Sequence, residues 1–271
     1  MQATHKAATT QLGILGPMYA VRDGMYASLG GPQQRIVLVL LVLAKGNRVS
    51  MAEFIDALWG AASPPSAVNV VRTYLKRLRK SLDPQHRSWQ ASNVLPSVGD
   101  GYALSTEDVD VDLWRFQDAV SEALQERRAG DHAAAARLLA SALRLWRGDV
   151  ASELPELTNH PLLFPVNAER WTAVDWYAEA ALASGAAAEA IPIMESATIA
   201  RPLDEFAHAR LIALYHASGR RSDAARVFQG IQRRLRDELG LSPGPELSAA
   251  YSAVLQETGW STSQRRQSVS V

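Results

Sequence analysis

Two hairpin signals bracket three helical segments, and seven further amphipathic segments follow, punctuated by a recurring glycine. This order predicts an α+β N-terminal winged helix-turn-helix domain followed by an all-α tetratricopeptide-like helical repeat domain. Charge divides along the same line. Residues 1–105 hold eleven Lys and Arg against five Asp and Glu, whereas the remainder holds 17 against 23, so the net charge of zero hides a basic half and an acidic half. One half suits a polyanion and the other does not.

Residues 1–11 are small and polar without periodicity and are predicted to be a disordered N-terminus. The winged domain is expected over residues 12–105. It opens with β-formers from Leu12 to Leu29, cut by Gly16-Pro17 and by Asp23-Gly24; the second pair between short alternating runs is a hairpin signal. Pro32 stands at a helix start, where its missing N–H is not needed. Gln33 to Lys45 follows, apolar on every side at its middle, as a helix central to a core must be. Gly46 and Asn47 end it, and Ser50 with Glu53 three residues on forms a capping box for the segment Met51 to Trp59.

Pro64 and Pro65 then launch the stretch Ser66 to Leu82. Val68, Val71, Leu75, Leu78 and Leu82 recur at helical steps and predict a buried seam. The opposite side carries Ser66, Asn69, Thr73, Lys76, Arg77 and Lys80, flanked by Arg72 and Arg79, with no carboxylate among them. Solvated helices usually mix signs, because Glu to Lys pairs add a few tenths of a kcal/mol each. An uncompensated cationic face on a short helix fits the major groove of double-stranded DNA; a merely soluble basic helix is the plain alternative. Val94 to Ser105 reads as two strands joined at Gly99, Asp100 and Gly101, the wing of an OmpR-type arrangement.

The repeat domain is expected over residues 106–258, with helices at Asp110–Arg128, Ala133–Arg147, Val166–Ser184, Ala187–Ala200, Asp204–Ser218, Arg221–Glu238 and Glu246–Glu257. Gly130, Gly185 and Gly219 each precede a helix, with Ala135, Ala190 and Ala224 five residues later and Leu139, Met194 and Phe228 nine later. Gly185 and Gly219 lie 34 residues apart, the tetratricopeptide period. Gly148 to Pro165 supplies an insertion between the first two glycines, and Pro192 is expected to lie in or near a first turn. Residues 259–271 are predicted to be a disordered tail.

Cysteine is absent, which rules out disulfides and thiolate metal sites and suits a reducing compartment. The longest apolar run, Ile36 to Ala44, is too short to span a bilayer. No phosphate-binding glycine loop and no HExxH motif occurs, so no enzyme, no cofactor and no metal is expected. The expected location is the cytoplasm, in association with the nucleoid.

Four stretches in order carry a likeness to a known family: RTYLKRLRKSL at Arg72 to Leu82, GYAL and VDVDLWRF within Gly101 to Phe116, LRLWRG at Leu143 to Gly148, and RDELGLSPGPEL at Arg236 to Leu247. Over roughly Leu12 to Gly259 the chain resembles the Streptomyces antibiotic regulatory proteins, in which an OmpR-type winged helix precedes a bacterial transcriptional activation domain. The resemblance implies an activator of a secondary-metabolite gene cluster that binds direct repeats at promoters as a tandem homodimer and recruits RNA polymerase, including its sigma subunit. By the same likeness Arg77 reaches a base edge, Lys76, Arg79 and Lys80 meet phosphates, and Asn69, Arg72 and Thr73 read bases or fix register. The wing departs from the family pattern, since Ala103 stands where arginine often follows the tyrosine and Asp100 sits at the tip, leaving Arg87 as a substitute contact. Two other readings share these residues: a scaffold in which the repeat domain binds a partner, and a repressor using the same DNA contacts.

Overall fold

The structure, a computed structural model, describes residues 10–84, 92–158 and 160–267, with side chains through residue 256. The chain forms two compact units, one from the residues up to 118 together with 144–165, the other from 119–143 together with those from 166 onward.

In the first unit β1 (Thr10–Gly13) pairs antiparallel with β2 (Tyr19–Arg22), which pairs with β3 (Met25–Tyr26). The turn between β2 and β3 is Asp23-Gly24, both at positive φ (49° and 79°), as the predicted hairpin requires. Thr10 and Gln11 belong to β1, which corrects the N-terminal boundary: Thr10 is fully buried and bonds the Leu82 carbonyl at 3.3 Å, so its polarity is not a mark of disorder. Residues 1–9 lie outside the described residues.

Helix α1 (Pro32–Leu43) buries every residue from Ile36 to Val42, as its apolar run predicts. Strand β4 (Val49–Ser50) leads into α2 (Met51–Trp59), and the capping box is present: the Ser50 N–H donates to Glu53 Oε2 at 2.8 Å and the Glu53 N–H to Ser50 Oγ at 3.3 Å. Helix α3 (Ala67–Leu82) packs against α1 and α2. A second sheet, in the order β4-β6-β5, holds the wing strands β5 (Ser97–Val98) and β6 (Gly101–Tyr102). Gly101 is a strand residue rather than part of the turn, because its backbone passes so close to Val49 that a Cβ there would lie 2.2 Å from the Val49 carbonyl oxygen.

Beyond Ser105 the chain is not helical at once, which corrects the expected helix start at Asp110. Val109 and Val111 are buried on one face of a fourth strand of the first sheet, β7 (Val109–Val111), that joins β1 in parallel. Helix α4 (Asp112–Ala129) begins directly after it. The Asp112 side chain is 2% exposed and accepts the N–H groups of Ile14 (2.9 Å), Leu15 (3.1 Å) and Leu113 (2.8 Å) and Arg147 Nη2 (3.1 Å). Such a carboxylate is tolerable in a core because every desolvated lone pair has a donor. Residues 106–118 and 144–165 therefore pack into the first compact unit. The segment 144–165 is held there by the Arg147 N–H on the Leu15 carbonyl (2.7 Å), by Trp146 edge-on to Phe116 (5.3 Å), and by Glu153, which accepts the Met18 N–H (3.0 Å) and Arg35 (2.7 Å).

The second unit is all helix: the end of α4, then α5 (His132–Leu143), α6 (Phe164–Ser184), α7 (Ala187–Ala200), α8 (Glu205–Ala217), α9 (Arg221–Arg234), a π turn at Leu235–Leu239, and α10 (Pro245–Gln267). Gly130, Gly185 and Gly219 take left-handed φ values of 83°, 77° and 74° between paired helices. Ala135, Ala190 and Ala224 are fully buried, as close helix approach demands, and Leu139 and Met194 fill the adjacent space. Phe228 instead stacks on Tyr251 of α10 at 4.1 Å. Three boundaries differ from expectation. Helix α5 ends at Leu143, four residues early, where the chain turns back to the first unit. Pro192 is the sixth residue of α7, past the first turn. Helix α10 runs to Gln267 and so through much of the predicted disordered tail; Gly259 within it costs about 1 kcal/mol against alanine without stopping the helix. Residues 268–271 lie outside the described residues.

Candidate nucleic-acid interface

The connector after α2 turns at Gly60, with φ 53°, and the Pro64 carbonyl accepts the Ala67 N–H at 2.9 Å, which starts α3 at Ala67. The buried stripe of the helix is Ala67, Val71, Leu75, Leu78 and Leu82. Val68, expected in that stripe, is 36% exposed, and Ala67, at the opposite edge of the stripe, is buried in its place. The helix is fixed at its C-terminal end and at its middle. Arg22 Nη1 and Thr10 Oγ1 donate to the terminal Leu82 carbonyl, a cation where the helix dipole favours one, and the Tyr74 hydroxyl donates to Gln33 of α1 at 2.6 Å.

Asn69, Arg72, Thr73, Lys76, Arg77 and Lys80 are all exposed on the outer side of α3. Arg72, Lys76, Arg77 and Lys80 have no ion-pair partner among the described residues, and the helix contains no acidic residue. Thr73 donates its hydroxyl to the Asn69 carbonyl at 2.8 Å, which leaves its oxygen lone pairs as an acceptor. Arg79 departs from the rest. Its Nε donates to the Leu95 carbonyl at 2.8 Å, its Nη2 donates to Ser97 Oγ at 2.9 Å, and its guanidinium lies 5.1 Å from the centre of the Tyr102 ring. The guanidinium is turned onto the wing, away from the open cationic face. Arg87 lies outside the described residues.

At the wing tip Asp100 is ion-paired with Arg48, whose stem crosses Gly99 and Gly101, so the carboxylate there is neutralised from the same domain. Sequence patterning missed Arg48 and Tyr102, because pairing of β4 with β6 is a contact across more than fifty residues with no local signal. Glu53, the other acid near this surface, is held below its ordinary pKa mainly by the Ser50 hydroxyl and then by the Ser50 N–H. Among the described residues no group of three or more His, Cys, Asp or Glu side chains is placed to hold a metal, and no helix is long and apolar enough to cross a membrane.

The architecture is a winged helix with a bare cationic third helix, followed by tetratricopeptide-like helices. Comparison with known proteins agrees. Residues 29–104 match the family described as "Transcriptional regulatory protein, C terminal" and residues 111–255 the "Bacterial transcriptional activator domain". The chain is 36% identical to the regulatory protein AfsR of Streptomyces coelicolor over 252 residues, covering 93% of this chain and 25% of AfsR. It is 34% identical to the transcriptional regulatory protein EmbR of Mycobacterium tuberculosis, covering 90% of this chain and 63% of EmbR. With the transcriptional regulator RedD of Streptomyces coelicolor it shares 31% identity over 91% of this chain and 71% of RedD. The solved structure of Mycobacterium tuberculosis EmbR in complex with a low-affinity phosphopeptide superposes with a TM-score of 0.76 at 32% identity, covering 92% of this chain and 65% of that one. The chain thus spans a quarter of the length of AfsR and less than two thirds of EmbR. The chain belongs to the Streptomyces antibiotic regulatory protein family.

Proposed function

We propose that this protein activates transcription of a secondary-metabolite, antibiotic-type biosynthetic gene cluster. It binds direct repeats at promoters as a tandem homodimer and recruits RNA polymerase through contacts that include the sigma subunit, working in the cytoplasm at the nucleoid. The observation that carries the DNA-binding part is the row of unpaired cations on α3, exposed beside the wing. Leaving four cations bare costs little in water and gains much when phosphates replace small counterions. In this reading Arg77 contacts a base edge, Lys76 and Lys80 meet phosphates, and Asn69, Arg72 and Thr73 read bases or set register.

Footprinting of the full chain on the promoters flanking its own gene tests the proposal. Protection should cover two or more repeats in the same orientation and resist random competitor DNA. Equal displacement by random and specific DNA would reject promoter recognition. Run-off transcription with added protein then fixes the sign, since a rise is expected and a fall identifies a repressor using the same contacts.

A further inference from the structure

The wing is small. Its strands β5 and β6 are two residues each, and β6 meets the rest of its sheet only through the two-residue strand β4. A hairpin of that length is marginal alone and needs a contact outside its own ladder. Arg79, on the flank of α3, reaches it at three points: the Leu95 carbonyl just before β5, the Ser97 hydroxyl within β5, and the Tyr102 ring on β6. All three use what distinguishes arginine from lysine, a planar group whose Nε and Nη2 donate side by side along one edge while its face stacks on an aromatic ring.

We propose that Arg79 is a positioning residue that fixes the wing against α3, and so sets where the wing meets DNA relative to the groove-facing helix. The proposal rests on the reading of α3 as the DNA-contacting helix. It separates Arg79 from its neighbours by where its donors go: Lys76, Arg77 and Lys80 face outward without ion-pair partners among the described residues, so a duplex can neutralise them. Arg79 already spends its Nε and Nη2 donors and its face inside the domain. Removing it takes away geometry without removing a phosphate contact.

The test uses the full chain, the duplex that the wild-type chain enriches from a randomised pool, and two measurements. The first is hydrogen exchange of the wing amides without DNA. Arg79→Ala should speed exchange across 97–102 by about tenfold, with the α3 amides unchanged, and Arg79→Lys should do the same because lysine lacks the fork. The second is affinity at several salt concentrations. Both Arg79 variants should bind about tenfold more weakly with the wild-type salt slope, whereas Lys80→Ala should leave wing exchange alone and flatten the slope by about 0.9. Wild-type affinity in Arg79→Lys, or a slope lowered by about one unit in Arg79→Ala, would make Arg79 a phosphate contact and overturn the proposal. Should Arg79→Ala fail to fold, Ser97→Ala combined with Tyr102→Leu removes the receiving side of the contact. Unchanged wing exchange in that variant overturns the proposal equally. If the wild-type chain enriches no duplex, the DNA reading falls, while the exchange data still decide whether Arg79 holds the wing.

Discussion

Two arginines of α3 and three of the repeat helices live under opposite rules. On α3, Arg72 and Arg77 extend into solvent beside Lys76 and Lys80 with no acid opposite them among the described residues. In the second unit Arg127 of α4 and Arg210 of α8 close on the same carboxylate, Glu179 of α6. Arg201 bridges Asp175 at 3.6 Å and Asp204 at 2.7 Å. Each of these three also covers an aromatic face, Trp176, Phe206 and Trp171 respectively, at 4.6 to 4.8 Å. The contrast shows that counting arginines says little about ligands. A guanidinium whose donors and face are already engaged within its own fold is structural, and one left without such partners is available to a ligand. The acidic surplus of the second half is partly consumed in this way, while the basic surplus of the first half stays open.

Removing that open surplus altogether should have the largest effect. A chain with Arg72, Lys76, Arg77 and Lys80 all changed to alanine is expected to keep its fold, because all four are exposed, and to lose DNA binding by about a thousandfold or more near physiological salt. Its log affinity should also lose about two to four units of salt slope. Changing Arg127 and Arg210 together should leave the slope where it was. If both sets flatten the slope alike, the division between open and closed arginines is wrong. Within the open set, Arg77→Ala should cost about 1 to 3 kcal/mol on the cognate site and blunt discrimination between sites, and Lys80→Ala should weaken all duplexes similarly, as competition titrations will show.

The closed set should answer to stability instead. Glu179→Ala strands two partly buried guanidinium groups and is expected to cost about 1 to 2 kcal/mol in a denaturant titration, less than a fully buried pair because Glu179 is 35% exposed. DNA affinity should be unchanged.

The contrast itself was only half legible in the sequence. Residues from 36 to 42 announce a buried helix by being apolar throughout, Ser50 and Glu53 announce a cap, and the glycine, alanine and large-residue spacing announces the paired helices, because each of these patterns is local. The closed partners are not local. Asp112 meets Ile14 and Leu15 across 98 and 97 residues, and Arg147 across 35, so nothing near Asp112 told that residues 106–118 and 144–165 pack into the first unit. The strand at Val109–Val111 was hidden because three residues are too few for alternation to outweigh the helical pattern that begins beside it. Arg79 sits on the flank of α3 by periodicity, but that its fork is spent on the wing depends on where Leu95, Ser97 and Tyr102 return.

A pH scan separates the two units again. His208 is buried on α8, its Nδ1–H donating to the Asp204 carbonyl at 2.8 Å, and burial pushes its pKa below the usual value. The unfolded chain takes up a proton near pH 6.5 before the folded chain does. Stability should therefore fall as pH drops below about 6.5 and keep falling until the folded value is passed. Thermal melts between pH 7.5 and 5 should show this decline, and His208→Gln should flatten it. The charged residues on the outer face of α3 are lysines and arginines, with no histidine or carboxylate among them, so the salt slope of DNA binding should stay constant across that pH range.

The finest form of the contrast lies at Glu53. Its carboxylate is engaged by the N-terminus of α2 through the Ser50 N–H at 2.8 Å and hydroxyl at 2.6 Å. These bonds hold its pKa down, so their contribution is fully present above the ordinary carboxylate range and is lost as pH falls through the lowered folded value. Ser50→Ala removes the cap and should lower stability by about 1 kcal/mol at neutral pH. It should also return the Glu53 carboxyl toward its ordinary titration, followed by its side-chain carbon shift in NMR. DNA affinity should change less than twofold, because the freed carboxylate stays on α2. An affinity loss that grows as salt is lowered would mean instead that Glu53, once released, competes with the duplex for α3, and the cap would then serve to keep an acid away from the open cations.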